Sequence, residues 1–390
     1  MLINTVEPAF ALRSRAPSIV RPVVSRVVDK LSLCRPFGDK HRRALFIFFD
    51  NNISISQAYP FAYYSKQLQS GFDLEFRFTP LDKFLEANTS SMVGAEVVFL
   101  QTWYDVGLDV LEQTFEQIRK LHPGAKVYFL DAFAPTHLHL AKWLQPHIHG
   151  YVKKHMLKDR ARYDRPTLGD TNLEEYYGDL YGIQRPTVDW QVPPGFADKV
   201  IIGPGFFTAP HFLRAFLGPL ENSQDRPIDL HARFATGGSP WYAAMRSHAQ
   251  QVVTSLSGLN VATGAGLAKA QYWRELRASK ACFSPFGYGE VCWRDIEAML
   301  TGTVLLKPDM GHLDVHPAVF IPGETYIPVR WDFADLPEKA EQIAQDANLR
   351  DHITKTAYHT IQNYLRGEGF LEQLRPCFEK QTSSSALSPV

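Results

Sequence analysis

The chain is poor in cysteine. Its four, Cys34, Cys282, Cys292 and Cys377, are widely separated and never form a C-x-x-C pair. This excludes a disulfide framework and a thiolate zinc centre, and fits reduced thiols in the cytosol. No run of 18 apolar residues occurs, so no bilayer-spanning helix is encoded. The start shows neither a clean hydrophobic block after its basic residues nor a small-residue cleavage site, so no signal peptide is expected. An excess of one charge sign is also missing, since 41 Lys and Arg balance 41 Asp and Glu. Bases are not interleaved with aromatics along any stretch, and no nucleic-acid partner is expected.

What is present describes a two-domain globular chain. At 390 residues, 45% of them hydrophobic, there is enough length for two cores. Residues 44–49 are an apolar run ending in Asp50-Asn51-Asn52, followed by a helix carrying Tyr59. Strand-like runs recur at 74–78, 97–101 and 127–130, with a helical pattern over 108–121. This alternation predicts an α/β fold with a doubly wound parallel sheet. Ligands of such sheets bind beyond the carboxyl ends of the strands. There the sequence places Asp50 and Asn51, then Trp103, Tyr104 and Asp105, then Asp131-Ala132-Phe133. Lys153 and Lys154 open a basic and tyrosine-rich insertion over 150–195, suited to a sugar or a phosphate. We expect acceptor contacts from Asn51, Tyr59, Trp103, Tyr104, Lys153 and Lys154.

Residues 281–307 carry the sharpest pattern: a short apolar run to Ser284, Pro285, the glycines of Phe286-Gly287-Tyr288-Gly289, a helical stretch, then an apolar run from Thr303. The helix is predicted to begin near Glu290 and stop at Gly302. Glu290, Arg294 and Glu297 then stand at i, i+4 and i+7 on one face, while Gly287 and Gly289 supply an unusual turn. A diphosphate suits a helix amino end beside glycines. Arg233, at the end of an apolar run over 228–232 and before Gly237-Gly238-Ser239, could neutralise the same anion, as could Lys307.

Glu297-Ala-Met-Leu-Thr-Gly-Thr-Val is similar to the Glu-Ala-Met-x-x-Gly-x-Pro-Val run of GT-B glycosyltransferases of the group 1 type. The wider stretch over about 228–365 also resembles exostosin-like and CAP10-like glycosyltransferases. The resemblance implies two Rossmann-like domains facing a cleft, the GT-B architecture. It also implies a nucleotide-sugar donor with its ribose on Glu297. Retaining members carry a further Glu eight positions earlier, which here is Gly289, with Glu290 one residue out of register.

The expected organisation is a basic amphipathic leader over 1–43, an acceptor-side domain over 44–205 and a linker over 206–227. A donor-binding domain with a returning C-terminal helix follows over 228–380, and a disordered tail over 381–390. The leader carries nine bases against three acids, and its Val-rich wheel could lie on an anionic membrane surface. The expected activity is sugar transfer from a nucleotide-activated donor to a saccharide or lipid-linked acceptor, in the cytoplasm or at the inner membrane face. Donor binding falls to Arg233, Gly287, Tyr288, Gly289, Glu290, Arg294, Glu297 and Lys307, and catalysis to Asp105, Asp50 or Glu290. With no Asp-x-Asp motif, neither a metal nor another cofactor is expected. The alternatives are a GT-B-shaped nucleotide-sugar epimerase and a non-catalytic nucleotide-sugar-binding protein.

Overall fold

The computed structural model describes residues 36–86, 92–220 and 225–379. The amphipathic part of the leader and the serine-rich tail lie outside these residues. The leader boundary needs correction, because Arg42 and Arg43 already pair as strand residues with Leu74 and Glu75.

The first sheet holds β1 (Arg42–Phe48), β2 (Leu74–Pro80), β3 (Val97–Gln101), β4 (Lys126–Leu130), β5 (Gly150–Lys153) and β6 (Val200–Ile202). They run in the order β2-β1-β3-β4-β5-β6, and every neighbouring pair is parallel. Helices such as α1 (Asn52–Tyr63) and α2 (Leu108–Leu121) cross between strands. Covering both faces explains why the strands are apolar throughout: Ala44 to Phe48 are 0% exposed. The insertion contributes α3 (Asn172–Leu180), capped by Thr171 accepting from Glu174 N.

The second sheet holds β7 (Ile228–Ala232), β8 (Val261–Thr263), β9 (Ser279–Phe283), β10 (Val304–Pro308) and β11 (Ile327–Val329). It is also parallel throughout, in the order β8-β7-β9-β10-β11. Its helices include α4 (Pro240–Thr254), α5 (Lys269–Arg277), α6 (Trp293–Leu300) and α7 (Ala347–Arg366). The fold is thus α/β with two Rossmann-like units.

Two connections differ from a simple linker. Within 206–227 a helix, Pro210–Phe216, buries Phe212, Leu213 and Phe216, and α7 grips its end through Gln362 Nε2 donating to Phe216 O at 2.8 Å. Apolar residues at that spacing demand burial, so this stretch is a packed bridge. Beyond α7 the chain returns to the first domain. The Phe370 ring meets Phe61 edge-on at 5.1 Å, and Arg42 donates to Phe378 O at 2.8 Å.

The domains also meet through an antiparallel pair, His155–Leu157 with Leu313–Val315, supported by Arg160 and Asp314 at 2.7 Å. Nearby, the backbone at Gly289 lies against Ala134, where a Cβ would come 2.2 Å from the carbonyl oxygen. Gly289 is therefore required by close approach of the domains. Neither Gly287 nor Gly289 has a positive φ, so the expected turn strain is not their reason.

Candidate active site

Helix α6 starts three residues later than the sequence suggested. Cys292 is its extended N-cap, and the Asp295 carboxylate accepts from Cys292 N at 2.8 Å and from Ser284 Oγ at 2.6 Å. Asp295 also pairs with Lys307 at 3.0 Å, both side chains being 0% exposed. This fastens the glycine loop to β10 and commits Lys307 to a buried ion pair, which leaves its charge compensated within the protein. Glu290 falls outside the helix and leaves the face that Arg294 and Glu297 share.

On that face the Glu297 carboxylate accepts from Tyr272 OH at 2.6 Å, and burial pushes its pKa up. Arg294 has no such partner. Its Nε is buried without a hydrogen bond, and its guanidinium lies 6.0 Å from the centre of the Phe234 ring. Ser239 Oγ and His231 Nε2 are likewise buried and unbonded. Burial, and next the Arg294 charge, lower His231 to about 4, so its imidazole is neutral. Three buried polar atoms without protein partners, grouped on one side of the sheet, call for a water, an ion or a ligand to bond them. Arg233, by contrast, is gripped by Glu275 at 2.9 and 3.2 Å and by Thr263 O.

Two loops are tied together beside these side chains. Ser239 N donates to Tyr288 OH at 3.1 Å, and Tyr288 stacks on Tyr242 with centroids 4.4 Å apart and planes 3° apart. Arg246 lies 4.5 Å from the Tyr242 ring and donates to Phe286 O and Ala235 O, holding both loops in register.

Glu290 belongs to the seam between the domains. Its Oε2 lies 3.2 Å from His155 Nε2, and its Oε1 lies 3.9 Å from His312 Nε2. Burial would push this carboxyl up, but the His155 hydrogen bond and the His312 imidazole hold it well below the usual carboxylate range. Behind the seam, Asp131 and Lys153 form a buried ion pair at 2.5 Å. Burial works against the Asp131 charge, yet Lys153 keeps its pKa low. His137 and His139 each bury an unbonded Nδ1 beside this pair. None of these histidines was expected; the only signal was three of them following strands β4 and β5.

The remaining expected residues separate into two groups. Trp103, Tyr104, Asp50 and Asp105 reach the open carboxyl edge of the first sheet, with Tyr104 and both aspartates exposed. Asn51 instead caps α1, accepting from Ser54 N at 2.8 Å, and Tyr59 is buried with its hydroxyl accepting from Arg214 at 3.2 Å. Lys153 and Lys154 lie at the end of an interior strand and are buried. Lys154 rests 4.7 Å from the Phe206 ring centre, and burial lowers it to about 8. In these four the side chain is buried or bound by the protein itself, against the expectation that they contact a ligand.

Residues 212–374 match the family model described as glycosyl transferase-like. No curated protein sequence matches. Among solved structures, an alpha-glucosyltransferase in complex with UDP and a 13-mer DNA containing an HMU base is similar in fold. Its TM-score is 0.50 at 9% identity, over 87% of this chain and 99% of that one. A glycosyltransferase from Rickettsia africae ESF-5 gives 0.45 at 10% identity, over 86% and 99%. TarM from S. aureus gives 0.42 at 11% identity, over 85% and 60%. The DNA in the first of these structures means that the expectation of no nucleic-acid partner gains no support from likeness.

Proposed function

The chain is a GT-B-fold protein whose C-terminal domain is glycosyl transferase-like, and from that premise we propose that it transfers a sugar from a nucleotide-activated donor to an acceptor held by the first domain. The observation that carries this reading is Arg294, an arginine with a buried, unbonded Nε on the helix face of Glu297. The two groups are suited to the donor diphosphate and ribose. In the reaction the bond from the anomeric carbon to the diphosphate breaks, and a bond to the acceptor oxygen forms. The acceptor hydroxyl proton passes to a carboxylate. Asp50 meets that need best, because burial, and next the neighbouring Asp82, raise its pKa while it stays open to the cleft. The departing diphosphate is stabilised by fixed donors, so the reading requires no divalent ion. Among the described residues no helix is long and apolar enough to cross a membrane. We propose that the basic leader holds the enzyme at an anionic surface during glycolipid or polysaccharide synthesis. The direct test is a thermal-shift screen of the full chain with nucleoside diphosphates and nucleotide sugars. A specific rise in melting temperature supports the reading, and no rise with any of them at millimolar concentration refutes it.

A further inference from the structure

Resting on that transferase reading, we infer that the acceptor is a neutral saccharide chain stacked on an aromatic wall along the carboxyl edge of the first sheet. Phe49 follows β1, Trp103 and Tyr104 follow β3, Phe133 follows β4, and Trp190 comes from the insertion. Their centroids succeed one another at 6.3 Å from Phe49 to Trp103, 5.0 Å to Tyr104, 6.3 Å to Phe133 and 6.3 Å to Trp190. Five rings in series exceed the footprint of one sugar. Phe49 and Tyr104 remain 39% and 38% exposed, so ring surface at this end of the series is open to a ligand. At its Phe133 end the wall adjoins the glycine loop of the second domain, where Ala134 lies against Gly289.

The surrounding charge selects the occupant. Exposed Asp50, Asp82 and Asp105 rim the wall. Of the nearby lysines, Lys153 is buried and neutralised by Asp131, Lys83 shares a surface ion pair with Glu86, and Lys142 stays exposed with a bond to Gln191, so three carboxylates face one uncompensated ammonium. A polyanion such as nucleic acid requires cations tracking its phosphates. A sugar instead lays its C–H face on a ring and donates hydroxyl hydrogen bonds to carboxylates at the edge.

The test is titration of the full chain, followed by tryptophan fluorescence, with maltotriose, cellotriose and tri-N-acetylchitotriose, their monosaccharides, and a short single-stranded DNA. A trisaccharide should bind independently of salt and about tenfold more tightly than its monosaccharide. Trp103→Ala and Phe49→Ala should each weaken it about tenfold, with Trp103→Phe restoring part of the loss. Phe49, being on the rim, can be truncated without opening the core. Nucleotide-sugar binding should be unchanged in all three variants. Salt-sensitive DNA binding without saccharide binding, no trisaccharide bound at millimolar concentration, or unaltered affinity in both alanine variants would each overturn the inference. If the trisaccharide binds but no nucleotide sugar does, the transferase reading fails and the wall stands.

Discussion

Replacing Arg294 with alanine separates the donor phosphates from the rest of the nucleotide. In the free protein this guanidinium carries a buried Nε with no acceptor, while the nearest carboxylate on its face, Glu297, accepts from Tyr272. Its hydrogen-bonding capacity is therefore available to a ligand. A hydrogen bond to a charged group contributes about 1.5–3 kcal/mol, so Arg294→Ala should weaken a nucleoside diphosphate roughly 10- to 150-fold. Arg294→Lys should recover only part, because an ammonium cannot reproduce the planar fork. Calorimetric titration of wild type and both variants with a nucleoside diphosphate and with the uncharged nucleoside reads the effect. The nucleoside should be nearly indifferent to the change. Equal losses for the two ligands would refute the phosphate role. A nucleoside-diphosphate loss larger for Arg233→Ala than for Arg294→Ala, in a variant that still folds, would refute the choice between the arginines.

Other consequences are equally specific. Asp50→Asn should lower kcat with little change in donor affinity; an unaltered kcat would pass the role of base to another carboxylate. Burial, and next the Lys153 charge, depress Lys154 from 10.5 to about 8, a penalty of about 3 kcal/mol at neutral pH. Because its folded pKa is the lower one, that penalty is complete below about pH 8 and fades as the pH rises toward 10.5. Lys154→Met should therefore be more stable than wild type in urea at pH 7 and lose that advantage by pH 10, and a pH-independent difference would contradict this. The full chain should sediment with anionic vesicles at low salt and detach as salt rises, whereas a chain starting at Pro36, which keeps strand β1 whole, should not; identical behaviour of the two would remove the leader from any membrane role.

Much of the fold is legible because it rests on local periodicity. The helical pattern over 108–121 is α2, and the apolar runs at 44–49, 97–101 and 127–130 coincide with strands to within two residues. Gly302, with φ +63° just beyond α6, is the stop signal expected of it. The start of α6 is not legible locally, because its anchor is Asp295, inside the helix, tied to Ser284 and Lys307. The charged residues of the site were less legible still. Arg233, Arg294, Lys153 and Lys307 look alike in sequence, and what distinguishes them is partners brought from elsewhere. Glu275 stands 42 residues from Arg233, and Asp131 stands 22 from Lys153. The register of the sequence points Glu290 at the donor, yet it meets His155, 135 residues away, across a seam that no local pattern announces.

Sugar transfer itself is the decisive measurement. Nucleotide sugars labelled in the sugar are incubated with the full chain and neutral oligosaccharides, and both the label and the released nucleoside diphosphate are followed. The label should pass to the saccharide with one nucleoside diphosphate released per sugar, and release should slow sharply when the saccharide is withheld. A nucleotide sugar that is bound but recovered unchanged, or isomerised without release of nucleoside diphosphate, would contradict the assignment of a glycosyltransferase.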